Sequence, residues 1–172
     1  MSTSSSKWSE AKIGKALAHK LQQRSTLIVP NCYWTGSETD LLVIDKSLRI
    51  IDVEIKISRA DLKADAKKDK WWKSRPWSRK ATGPRQWPDK VWKHYYVMPE
   101  EIWEPKLLEA INPCSGVITI AQDERYNGGC RVDVKRAAKP CKEAKAISPA
   151  DAIDLARLTS LRLWAQLTKD QQ

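Results

Sequence analysis

The apolar and polar positions of this chain divide it into a series of predicted elements. From Trp8 to Gln23, Ile13, Leu17 and Leu21 recur at helical spacing, which predicts an amphipathic helix. Leu27-Ile28-Val29 and Cys32-Tyr33-Trp34 predict a first strand interrupted by Pro30, hence an edge or a bulge. Two apolar runs follow, Leu41 to Ile44 and Ile50 to Ile57, and the link Asp45-Lys46-Ser47-Leu48 between them suits a hairpin. Ser58-Arg59-Ala60-Asp61 has the form of a capping box and opens a second helix expected to reach about Trp72. Asp61, Asp65 and Asp69 recur along it among Lys63, Lys67, Lys68 and Lys70, the pattern of a solvated face with local ion pairs.

Val91 to Met98 predicts a fourth core strand, and Pro99-Glu100-Glu101 begins a short helix to about Ile111. Gly116 to Ala121 reads as a strand, and Asn127-Gly128-Gly129 as a turn into the hairpin partner Cys130 to Lys135. The basic stretch from Arg136 to Lys145 reads as a solvated connection. Ser148-Pro149-Ala150-Asp151 is a second capping box, and its helix should run to about Leu167. The apolar band Ile153, Leu155, Leu158, Leu161, Trp164 and Leu167 predicts packing on the domain, with a partner helix as the alternative.

Side chains alternate along a strand, so in the run from Ile50 to Ile57 the residues Ile51, Val53, Ile55 and Ile57 share one face, and Asp52, Glu54 and Lys56 the other. One face can enter a core while the other carries chemistry. The hairpin could bring Asp40 close to Glu54, so that two carboxylates and an ammonium converge. Mg²⁺ takes hard oxygen ligands and is commonly held by one or two carboxylates together with substrate phosphate, a demand that Asp40 and Glu54 meet. Lys56 is placed to orient a water or stabilise a pentavalent phosphorus. The carbonyl of Ile55 offers a further oxygen ligand. Glu10, three residues before Ile13, is a candidate auxiliary acid, with favourable placement at the positive helix end as the alternative reading and Glu38 as a competing acid.

Asp40 followed by Glu54-x-Lys56 within two consecutive apolar strands resembles the PD-(D/E)xK nuclease superfamily, with Thr39 where the motif has proline. The run from Glu54 to Asp65 with Lys70-Trp71, then Tyr95 to Glu100 and Ser115 to Ile120, is similar to a small branch of putative DNA-repair endonucleases in that superfamily. The resemblance covers roughly residues 8 to 136. It implies an α/β, restriction-endonuclease-like mixed central sheet flanked by helices in the order αβββαβ. It further implies hydrolysis of DNA phosphodiesters with Mg²⁺ or Mn²⁺ as cofactor, in repair, restriction or phage DNA processing. Catalysis would fall to Asp40, Glu54 and Lys56 with Glu10, and metal binding to Asp40, Glu54 and the Ile55 carbonyl. A non-catalytic nucleic-acid-binding module on the same scaffold is the alternative, and an RNA-binding or ribosome-associated protein a third reading.

Charge sharpens the picture. From Lys67 to Lys93, ten Lys or Arg stand against two Asp, with five tryptophans and several Pro and Gly residues. Basic side chains track phosphates and indoles stack on bases, so Lys73, Arg75, Trp77, Arg79, Lys80, Arg85, Trp87 and Lys90 are the candidate DNA contacts, with packing on the core an equal alternative for Trp77 and Trp87. Trp71 and Trp72 read instead as core residues, and His94 as a structural histidine. The net charge of +10 points to a polyanionic partner.

At 172 residues the chain suits a single nuclease-like domain, 1–172, with a core at 8–136, a basic Trp-rich insertion at 73–91 and a C-terminal helix at 148–168. Two copies acting together on two strands is an open possibility for such a domain. Cys32, Cys114, Cys130 and Cys141 lack metal-binding spacing, which argues for reduced thiols. The start lacks an apolar signal region and no run is long enough for a membrane span, so the expected location is cytoplasmic, in a bacterial cell or a phage-infected host.

Overall fold

A computed structural model describes residues 8–65, 87–88, 90–126 and 128–169. Six strands form one mixed sheet in the spatial order of the sequence: β1 (Ser25–Cys32), β2 (Thr39–Asp45), β3 (Ile50–Ile55), β4 (Val91–Pro99), β5 (Gly116–Gln122) and β6 (Cys130–Arg136). The first three make an antiparallel meander, β3, β4 and β5 run parallel, and β6 returns antiparallel to β5. Helix α1 (Glu10–Leu21) precedes the sheet, α2 (Arg59–Asp65) follows β3, and α3 (Pro149–Lys169) ends the described chain.

Each turn has a local cause. Asp45 Oδ1 accepts from the amides of Ser47 and Arg49, and Leu48 takes a left-handed φ of 58°, which closes the β2–β3 hairpin. Ser9 caps α1 and Ser58 accepts from the Asp61 amide at the start of α2. Ser148 and Asp151 form the reciprocal pair that the capping-box pattern predicts for α3. The strand containing Pro30 is continuous and lies at the sheet edge, where its missing N–H costs no ladder bond. Gly116 is required, because a Cβ there would stand 2.3 Å from the Tyr95 ring.

Alternation divides the sheet into two buried faces. Leu41, Val43, Val53 and Ile55 pack with Ile13 and Leu17 of α1. On the other face Leu42, Ile44 and Ile50 meet Ile147 and Leu155 near α3, while Tyr96, Met98 and Val117 meet Leu62 and Leu107. Between these two apolar patches the same face carries Asp52, Glu54 and His94, all buried.

The structure corrects four expectations. The short helix after β4 is two 3-10 turns, Glu100–Ile102 and Pro105–Ala110, because Pro105 starts a second turn rather than continuing the first. Ile57 lies beyond the end of β3 and is exposed rather than sharing the core face. Arg136 is tied down, its guanidinium donating to the carbonyls of Ser115 and Asn112, and Ala138, Ala144 and Ile147 are buried, so the segment after β6 is partly core. Of the α3 band only Leu155 is buried, with Leu158 packed beside it; Ile153, two residues before Leu155 and so on the opposite side of the helix, is exposed, as are Leu161, Trp164 and Leu167. The second helix beyond Asp65, with Trp71 and Trp72, lies outside the described residues. No helix among the described residues is long and apolar enough to cross a membrane.

Candidate active site

The β2–β3 register sets the site. Leu41 pairs with Val53 and Leu42 with Asp52, so one step further along the ladder Asp40 stands level with Glu54 at the C-terminal end of β3. The Ile55 amide donates to Asp40 Oδ2 at 2.6 Å. Asp40 is half-buried on the wall of a cleft of about 490 Å³, whose other side is formed by Glu10, Gly14 and Lys15 of α1. Burial raises the Asp40 carboxyl above the usual aspartate range; the Ile55 amide opposes that, the charges of Glu54 and Glu10 add to it, and Lys56 pulls it down. Glu54, Lys56 and Glu10 are thus each within electrostatic reach of Asp40. Glu10 itself is exposed at the mouth, and Glu38 turns instead toward the Tyr33 hydroxyl, 3.5 Å away.

Glu54 and Lys56 lie deeper, at 2% and 3% exposure. Lys56 Nζ is 3.0 Å from Glu54 Oε2 and 3.2 Å from Asp65 Oδ1. The Tyr96 hydroxyl donates to the second Asp65 oxygen at 2.6 Å. Burial alone would depress the Lys56 pKa, but Glu54 and Asp65 more than offset it and hold the ammonium above the ordinary lysine range. Burial and the Asp65 charge likewise keep the Tyr96 phenol protonated, so it acts as a donor. Asp65 therefore does not belong to a solvated helix face: α2 turns it inward, onto the lysine.

Sequence reasoning missed the residues behind that network. The parallel β3–β4 register aligns Asp52 with His94 and Glu54 with Tyr96. His94 Nδ1 lies 2.9 Å from Ser115 Oγ, and its Nε2 lies 4.0 Å from Asp52 Oδ2. The ring meets Tyr96 and Trp87 edge-on, with centroids 4.6 and 6.3 Å away. Asp52 carried a signal, since it alternates with Glu54. His94 and Ser115 carried none until the strands were paired.

The candidate DNA contacts divide. Lys73, Arg75, Trp77, Arg79, Lys80 and Arg85 lie outside the described residues. Trp87 is not presented for base stacking: its Nε1 donates to the Val91 carbonyl at 2.6 Å and its ring packs on both apolar patches beside His94. Pro88 follows it and β4 begins three residues later, which pins the indole to the sheet. Lys90 is exposed, with its ammonium 4.3 Å from the centre of the Trp34 ring.

No protein-family model matches the chain, and no curated protein is significantly similar in sequence. Among solved structures it is similar to the SPO1766 protein of unknown function from Silicibacter pomeroyi, at 17% identity and a TM-score of 0.57, over 95% of this chain and 91% of that one. That likeness concerns the fold alone. Fold and site together define a mixed α/β protein in which a six-stranded sheet flanked by helices surrounds a buried carboxylate and lysine network.

Proposed function

We propose that this protein is a metal-dependent deoxyribonuclease of the PD-(D/E)xK kind, hydrolysing DNA phosphodiester bonds on a restriction-endonuclease-like scaffold. The observation that carries the reading is the meeting of Asp40, Glu54 and Lys56 where the C-terminal end of β3 borders the cleft under α1. The order α1-β1-β2-β3-α2-β4 supports it as the αβββαβ series of that superfamily.

The residues present fit a divalent cation. Asp40 and Glu54 supply hard oxygens, and the burial and like charge that oppose ionisation of Asp40 are relieved by a cation at that point. Bound there, Mg²⁺ or Mn²⁺ supplies neutralisation of the phosphate charge and a water of lowered pKa. Asp40 is held in its rotamer by the Ile55 amide, so its free oxygen positions are preorganised. Lys56 presents an ammonium beside Glu54 that binds a nonbridging phosphate oxygen or orients the attacking water. Asp65, anchored by Tyr96, keeps that ammonium charged and aimed. Glu10, at the cleft mouth, is the auxiliary acid.

One observation favours a second reading, a nucleic-acid-binding protein that keeps the scaffold without cutting: Glu54 and Lys56 are almost wholly enclosed and already paired with each other. Cleavage of labelled single-stranded, duplex and branched DNA with Mg²⁺ or Mn²⁺ separates the two. The nuclease reading expects cutting by the wild type that is lost in Glu54→Ala and Lys56→Ala, with salt-sensitive DNA binding retained. Binding without cutting under either metal establishes the second reading instead.

A further inference from the structure

We infer that this protein pairs with a second copy of itself through α3, the two helices running antiparallel about Ser160. The helix carries two apolar faces. One, with Ala152, Leu155 and Leu158, packs on the sheet, and Arg162 donates to the Pro30 carbonyl on that side. The other carries Ile153, Leu161, Leu163, Trp164 and Leu167, each 44–68% exposed. Within it Ile153, Ala156, Ser160, Leu163 and Leu167 follow alternating steps of three and four residues, the spacing of a seam along which one helix meets another. Every residue from Ser160 to Lys169 is exposed, so that half of the helix is open to a partner.

The area suits a dimer. Side chains of this size present on the order of 150–250 Å² each when free, so the five leave on the order of 500 Å² uncovered in each copy, near the most that a monomer keeps in one patch. Two such patches brought together remove on the order of 1,000 Å² from water, the size at which specific interfaces begin.

The face also complements itself, as a two-fold contact requires. A two-fold axis at Ser160 sets Ile153 of one copy against Leu167 of the other, and Ala156 against Trp164. Small residues at the centre let the helices approach, and each indole fills the space above the other copy's Ala156. Charge selects the antiparallel sense. Arg157 lies on the exposed face, and parallel helices would set the two Arg157 side chains against each other. Antiparallel helices part them and bring the acidic first turn, with Asp151, level with the end that carries Lys169.

The test reads mass. Sedimentation equilibrium of the full chain from about 1 to about 200 µM should show a monomer–dimer equilibrium with a Kd on the order of micromolar, as an interface of this size gives. Leu163→Glu and Trp164→Glu, both at exposed positions that folding does not need, should each weaken it at least about tenfold, while Val134→Glu, at an exposed position on β6, should leave it unchanged. The register has its own readout. Ile153→Lys and Leu167→Glu should each weaken the dimer, and the two together in one chain should restore it, because each lysine then meets a glutamate across the axis. A wild type that is monomeric throughout overturns the proposal, as does a dimer that survives both the Leu163 and Trp164 variants or is lost equally in Val134→Glu. A double variant weaker than either single one overturns the antiparallel pairing. None of these readouts depends on DNA cleavage, so this inference and the nuclease reading fail separately.

Discussion

Two ion networks of similar composition stand in different surroundings in this protein. On the surface Glu100 is bonded to Arg131 and Lys135, and Arg131 reaches Asp133 at 2.9 Å. Inside, Lys56 bridges Glu54 and Asp65 at 3.0 and 3.2 Å, with Tyr96 closing the far side. The distances scarcely differ; the exposure does. Side chains of the surface set are 29–38% exposed, those of the Lys56 set 0–4%. Water and salt screen the first, so its pairs contribute little. The second is unscreened, so each charge there depends on its partners.

The largest effect should come from the inner network acting as a catalyst. Glu54→Gln keeps the shape but removes a ligand charge, and DNA cleavage with Mg²⁺ should fall roughly 10³-fold, equivalent to several kcal/mol of transition-state stabilisation, in single-turnover assays. Next is stability. Lys56→Met removes a buried ammonium that pairs with both Glu54 and Asp65, and urea unfolding should show a loss of about 3–5 kcal/mol. Tyr96→Phe removes one hydrogen bond from the buried Asp65 carboxylate and should cost about 1–3 kcal/mol in the same measurement.

The surface network should respond weakly. Arg131→Ala is expected to leave the unfolding free energy nearly unchanged and to become neutral at high salt. Its pH dependence has a definite sign. The Lys135 hydrogen bond, with Arg131 beside it, holds the Glu100 carboxyl below the usual glutamate range. A depressed carboxylate contributes stability above its unfolded pKa and loses it as pH falls through the folded value. The stability difference between wild type and Glu100→Gln should therefore be present at neutral pH and vanish on acidification below about pH 4.5. An effect of Arg131→Ala as large as that of Lys56→Met would erase the distinction between the two networks.

Much of this was legible in the chain. Local rules act over a few residues, so the capping pair at Ser148 and Asp151, the Asp45 turn and the helical stripe of Ile13 and Leu17 follow from spacing alone. The period of two along β3 likewise places Asp52 and Glu54 on one side and Val53 and Ile55 on the other, with Lys56 just past the strand end. Asp40 joins them because a short hairpin leaves few registers for two apolar runs.

What local spacing leaves open is how long-range pairing places the residues. The parallel alignment of β3 with β4 sets His94 beside Asp52, across 42 positions of chain, and only the β4–β5 pairing brings Ser115 behind the ring. Asp65 and Asp61 look alike in an alternating charged helix; the angle at which α2 leaves β3 decides that Asp65 is buried on Lys56 while Asp61 is only half-buried. Trp87, in basic sequence, read equally as a base-stacking or a packing ring, and β4 beside it, with an apolar surface and a carbonyl, decides for packing. The sequence by itself determined which elements form and which face of each is apolar, since those depend on neighbours within a turn or two. The tertiary structure alone decided which charged groups lose their water, because burial is a property of what packs on top of a residue and not of the residue's own neighbours in the chain.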